Sequence, residues 1–320
     1  MIDRDALVSL PKAHLHAHLE GCCSLSLWNK IASGVDPRFL GGNLDEFLDV
    51  YRRNQLILRE RTTMVQVLQS VLQDAKNQGV WHLELYIPGA FENQLEFLVE
   101  TAELARDGEV SIGLLCNTQR DWPYERTLSV VRNAVEWKNK GFPIIGISSA
   151  GPEISGGLVH LKRALGETPG SHDLLVVPHA GEIGAASDLW QALSLKPRRV
   201  AHGIRCVDDD LLMAYLTKKD ICCDVATTSN KLTGATREGQ YPLARMIRNG
   251  VPCTLNADDS LIFGVDILDE YETALQNGLE LADIVQLARN SFLYAVMPES
   301  NRMAALQAIE EWTQKHVDKK

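Results

Sequence analysis

Short β-rich runs alternate with longer amphipathic stretches along this chain, and that alternation constrains its fold more than any other feature. The runs fall at residues 13–18, 81–87, 111–117, 143–149, 174–179, 199–202, 221–227 and 252–256. Several are continuously apolar, as expected of strands buried on both faces. Helical spacing marks residues 63–78, 91–106, 124–139, 209–218 and 241–249, and then 266–277, 281–292 and 298–317. Gly79, Gly108, Gly141 and Gly250 stand where helices should stop. Eight strands alternating with helices read as a (β/α)8 TIM barrel. An open doubly wound sheet is the alternative, but no Gly-x-Gly-x-x-Gly phosphate turn supports a dinucleotide version. With no repeat, low-complexity tract or clear linker, residues 1–320 read as one barrel domain. Residues 22–58, with Gly34, Pro37, Gly41 and Gly42 among short helical pieces, are expected to form a lid after the first strand.

The formal net charge is −10 and no basic cluster suggests nucleic-acid binding. No apolar run reaches membrane-spanning length, and the acidic first ten residues do not read as a secretory leader. Seven cysteines, an odd number with two adjacent pairs, make a poor disulfide framework, so a cytoplasmic location is expected.

In a barrel of this kind, catalytic groups collect at the C-terminal ends of the strands. This chain places polar residues there repeatedly. The first run carries His14-Leu15-His16-Ala17-His18-Leu19-Glu20-Gly21, whose histidines alternate and so share one face of a strand. Later runs end in His179-Ala180-Gly181-Glu182, His202-Gly203, Thr228-Ser229-Asn230 and Asn256-Ala257-Asp258-Asp259-Ser260. Taken singly, each has a plain structural reading: a hydrogen-bonded histidine, a turn asparagine, or an aspartate capping a helix. Their convergence on one barrel mouth favours a metal site instead.

Pro11 to Gly21, His179–Glu182, Val200-Ala201-His202-Gly203-Ile204 and Leu255–Asp259 together resemble the ordered motifs of the adenosine deaminase family, among the metal-dependent amidohydrolases. Residues 80–86 and 145–153 are similar to weaker family segments. The resemblance implies one zinc ion per subunit, held by His16, His18, His179 and Asp258, with a position left for water. It implies that His202 orients the attacking water and that Glu182 protonates the purine ring nitrogen beside the amino-bearing carbon. Asp259 would meet N7 and the Gly151 backbone N3, with Glu20 on the substrate's far side. The implied reaction converts a 6-aminopurine, adenosine or deoxyadenosine, to inosine or deoxyinosine and ammonia.

His14 takes a place where the family usually has an acid, and is expected to pack beneath the ligands. Glu20 replaces an aspartate typical of adenosine deaminases and is found in adenine deaminases, so adenine or a modified nucleoside is the alternative substrate. Ser148 replaces a usual aspartate and Tyr86 a common arginine, and Thr228-Ser229-Asn230 lacks the Cys-Pro that commonly precedes Ser-Asn. A cytidine-type zinc deaminase would need Cys-x-x-Cys after His82-Leu83-Glu84, and there is none. Another amidohydrolase, or a purine-binding protein without catalysis, is the remaining alternative.

Overall fold

A computed structural model describes residues 2–89, 91, 94–153 and 156–317. The strands are β1 (Lys12–His18), β2 (Val80–Pro88), β3 (Ser111–Gln119), β4 (Ile144–Ala150), β5 (Leu175–Ala180), β6 (Arg199–His202), β7 (Cys222–Val225) and β8 (Cys253–Leu255). They pair in parallel in chain order, with helices between them. All eight runs expected as strands are strands, with ends moved by no more than two residues.

The closing seam is unusual. β8 is only three residues long, and Asn256 continues it with a side chain. Its Oδ1 accepts the N–H groups of Leu15 and His16, at 2.8 and 3.1 Å. One step further, Asp258 N–H donates to His16 O at 3.1 Å and His18 N–H to Asp258 O at 3.2 Å. The seam therefore fixes Asp258 against β1.

Tyr86, Leu115, Ile145, Val177 and Ala201 pack as a separate apolar cluster of strand residues. Arg199 is fully buried between Glu84 and Asp224, its Nε 3.2 Å from Asp224 Oδ2. Such a group is tolerated only when paired and hydrogen-bonded. Val296 N–H donates to Glu84 at 2.7 Å and Thr254 Oγ1 to Asp224 at 2.7 Å.

The helices form where apolar spacing and capping coincide. In Met64–Asn77, the buried Met64, Val67, Leu68, Val71 and Ala75 lie at three- and four-residue spacing, and Thr63 with Gln66 makes a capping box. Residues 22–58 differ from the short pieces expected. They hold a short helix, Leu25–Ile31, and most of an 18-residue helix, Leu44–Arg61, which runs three residues past the expected limit. Only Phe47, Asn54 and Leu58 of that helix are buried, with Leu44, Leu48 and Tyr51 partly buried beside Phe47 at three- and four-residue spacing. Among the described residues no helix is long and apolar enough to cross a membrane.

Candidate active site

The strand ends bring their histidines together. His16 and His18 leave β1, His179 stands next to the end of β5 and His202 ends β6, with the His16 ring centroid 4.7–5.6 Å from the other three. His18 Nε2 and His179 Nε2 are 3.1 Å apart. His16 Nε2 and His18 Nε2 lie 3.3 and 3.4 Å from Asp258 Oδ1. His16 Nε2 is buried without a hydrogen-bond partner. His202 and Asp258 both have left-handed backbones, φ +65° and +60°, which non-glycine residues adopt at a cost of about 1–3 kcal/mol.

The tautomers follow from what sits behind the rings. His16 Nδ1 donates to Asp224 O at 3.1 Å, so Nε2, 3.3 Å from Asp258 Oδ1, is the nitrogen left to face an ion; despite burial, Asp258 raises the pKa of this imidazole, and an ion there would take the place of its proton. Ser148 Oγ gives its only proton to Val177 O at 2.7 Å, so its 3.2 Å contact with His179 Nδ1 is one it accepts. His179 Nε2 therefore carries a lone pair. Burial holds His18 down at about 4 and His179 well below the ordinary imidazole range, so both are neutral at physiological pH. Despite burial, the neighbouring histidines hold Asp258 well below the usual carboxylate range. Neutral imidazole lone pairs and one carboxylate facing a common point are the donor set of a borderline divalent ion, and the orphaned His16 Nε2 fits that reading.

Ser229 Oγ donates to the other oxygen, Asp258 Oδ2, at 2.8 Å. Asn230, the next residue, donates through Nδ2 to His202 Nδ1 at 3.0 Å, which leaves the His202 proton on Nε2. That atom is 3.5 Å from Glu182 Oε2. Burial first, then Asp258 and Glu153, push the Glu182 carboxyl well above its ordinary range. Glu182 is held by its own turn: the N–H groups of Gly181, Glu182, Ile183 and Gly184 all donate to the Glu153 carboxylate at 2.6–3.0 Å. Asp259 is pushed up too, by burial and by Asp258. Its Oδ1 lies where a Cβ on Gly21 would fall, 1.6 Å away, so only glycine serves there.

These groups line a cavity of ≈ 280 Å³ whose rim reaches Arg52, Trp122 and Arg126. Gly151, at φ +83°, lines one wall. The long helix lines another through Leu44, Phe47, Leu48 and Tyr51. Glu20 joins that helix to the barrel: Tyr51 donates to its Oε2 at 2.9 Å, and Arg59 to its Oε1 at 2.9 and 3.2 Å.

The structure thus gathers His16, His18, Glu20, Gly151, His179, Glu182, His202, Asp258 and Asp259 around one cavity. His14 is committed elsewhere, its Nε2 accepting Ala257 N–H at 3.0 Å. His82 contacts Ser111 and Glu84, and His160 the Trp122 carbonyl, away from this group. Sequence reasoning did not single out Tyr51, Arg59 or Thr233, whose Oγ1 donates to Glu182 Oε1 at 3.3 Å, or see Glu153 as the anchor of the Glu182 turn.

The adenosine deaminase family model matches residues 11–312. This chain belongs to the adenosine deaminase family. As a member it is a hydrolase acting on C–N bonds. It is similar to an adenine deaminase of Hahella chejuensis, 29% identical over 98% of this chain and all of that one. It is also similar to an aminodeoxyfutalosine deaminase of Streptomyces coelicolor, 28% identical over 96% of this chain and 85% of that one. The crystal structure of an adenine deaminase from Arthrobacter aurescens has the same fold, with a TM-score of 0.83 at 24% identity over 95% of this chain and 99% of that one.

Proposed function

We propose that this protein hydrolytically deaminates a 6-aminopurine, taking adenosine or deoxyadenosine to inosine or deoxyinosine and ammonia. One observation carries the reading. A buried carboxyl, Glu182, whose pKa burial pushes well above its ordinary range, stands 3.5 Å from His202 Nε2 and beside a cluster of histidines and one aspartate suited to a metal. The ligands are His16, His18, His179 and Asp258, holding one zinc ion per subunit. When bound, that ion supplies the Lewis acidity that brings a water's pKa near ~7.

The rest belongs to the chain. Glu182 gives its proton to the ring nitrogen beside the amino-bearing carbon, which makes that carbon electrophilic. His202, its Nδ1 occupied by Asn230, turns Nε2–H toward the incoming oxygen and stabilises the charge that develops on it. Asp259, protonated for the same reasons as Glu182, donates to N7, and the Gly151 backbone meets N3. Water adds through its oxygen at the amino-bearing carbon; one of its protons passes to the amino group, which leaves as ammonia, and the other returns to Glu182 as the carbonyl forms. Residues 22–61 act as a lid on one barrel domain, closed over the substrate through Glu20. The seven cysteines are all free and buried, which supports a reducing, cytoplasmic setting. The reading needs no nucleic-acid or membrane partner.

A second reading, deamination of adenine, is favoured by Glu20. Oε1 accepts twice from Arg59 and Oε2 once from Tyr51, so most of the carboxylate's acceptor capacity already serves the long helix rather than a sugar hydroxyl. The similarity to adenine deaminases supports it as well. A cavity reaching Trp122 and Arg126 and the aminodeoxyfutalosine relative support a nucleoside instead. Comparing kcat/KM for adenine, adenosine, deoxyadenosine, methylthioadenosine and N6-methylated purines decides between them. Adenosine or deoxyadenosine ahead of adenine upholds the first reading; adenine ahead upholds the second. Ammonia from none of these purines rejects both.

A further inference from the structure

The turn after β7 is held by a buried carboxylate from another element that plays no part in the proposed catalysis. Glu270 is fully buried on the helix Ile267–Gln276, some forty residues downstream of that turn. Its Oε2 accepts Thr227 N–H at 3.0 Å and also the Thr227 hydroxyl; its Oε1 accepts Thr228 N–H at 3.0 Å. Thr227 is the first residue of the six-residue helix Thr227–Leu232. The residues two and three places further on are Ser229, which holds Asp258 Oδ2, and Asn230, which holds His202 Nδ1. Thus one side chain fixes the start of a turn that touches both a proposed metal ligand and the histidine facing Glu182. A proline in place of Thr227 would bring neither N–H nor hydroxyl, whereas threonine brings two partly buried donors that need an acceptor.

We infer that Glu270 is a positioning residue: by taking the donors of Thr227 and Thr228 it sets the placement of Ser229 and Asn230, and through them of Asp258 and His202. The inference rests on the metal and His202 roles proposed above.

The test is zinc affinity, measured by chelator competition on the whole chain, with kcat and KM read in parallel. Glu270→Gln keeps an acceptor for Thr228 N–H and faces an amide NH2 toward Thr227. It should bind zinc about 10–100-fold more weakly, with kcat falling and KM within about twofold. Glu270→Asp, which withdraws the carboxylate by one methylene, should move zinc affinity the same way. Adding Thr227→Pro to Glu270→Gln removes both donors from Thr227, and proline is well tolerated at a first helical position. It should recover most of the lost affinity. Glu272→Gln, on the same helix but paired with the partly exposed Arg4, should leave zinc affinity unchanged.

Unchanged zinc affinity and kcat in folded Glu270→Gln and Glu270→Asp would overturn the inference. So would a double variant weaker than Glu270→Gln alone. Because zinc binding is read without substrate, a wild type that releases no ammonia rejects the proposed reaction and leaves the zinc series to decide this role by itself.

Discussion

Ser148 Oγ stands 2.7 Å from Val177 O and 3.2 Å from His179 Nδ1, and with one proton to give it must accept from the histidine. A neutral hydroxyl thus does here what a carboxylate does behind many metal-binding histidines: it fixes the tautomer and aims the lone pair. Ser148→Ala should leave His179 Nδ1–H without a partner and weaken zinc binding about 10–100-fold. Chelator competition measures this; unchanged affinity would mean His179 is oriented by packing alone.

Glu182→Gln should separate chemistry from metal binding. The amide keeps the shape but has no carboxyl proton to give, so kcat should fall about 10²–10⁴-fold. Zinc stoichiometry, read by atomic absorption, should stay at one per subunit. Full activity in this variant would remove Glu182 from the acid's role.

The raised Glu182 carboxyl also makes a stability prediction. A carboxyl whose folded pKa lies above its unfolded value adds stability at low pH and loses it as pH rises through the folded value. Metal-free Glu182→Gln should therefore melt higher than metal-free wild type at pH 8. The gap should close near pH ~4, the ordinary range for glutamate. Scanning calorimetry at both values checks the sign.

Glu153→Ala should be more damaging than its distance from the substrate suggests. It removes the acceptor of four backbone N–H groups and leaves Arg120, 3.7 Å away, without its carboxylate. A loss of about 2–4 kcal/mol in denaturant unfolding is expected. The kcat should fall even in material that is fully folded.

Tyr51→Phe removes one of the contacts that tie the long helix to Glu20. The neutral-to-charged hydrogen bond is worth about 1.5–3 kcal/mol at most, and the helix keeps Arg59. The expected effect is a raised KM with kcat within about twofold, because the contact holds the cover and not the reacting atoms. A fall in kcat at constant KM would place Tyr51 nearer the chemistry than this account does.

The barrel was legible because parallel strands buried on both faces are continuously apolar, and because β1 and β6 end in histidine and β5 carries one next to its end, where the fold collects catalytic groups. His16, His18, His179, Glu182, His202 and Asp258 could be read from short motifs. Glu270 and Ser148 could not be read in the same way. Each acts as a single side chain on backbone groups or on another residue's ring, and no local spacing announces such a contact. The helix Leu44–Arg61 was hidden for a different reason. Leu44, Phe47, Leu48 and Tyr51 do recur at helical spacing, but they follow a stretch broken by Gly34, Pro37, Gly41 and Gly42, which reads as loop. The helix's asparagine–glutamate capping box, Asn43 with Glu46, was the available signal.

The central claim is metal-assisted removal of a purine 6-amino group, and ammonia release measures it most directly. Zinc-loaded protein incubated with adenosine or adenine should release one ammonia per purine consumed, stop when a chelator strips the metal and resume when zinc is restored. No ammonia from any 6-aminopurine with zinc bound, or release that continues unchanged after the metal is removed, would contradict it.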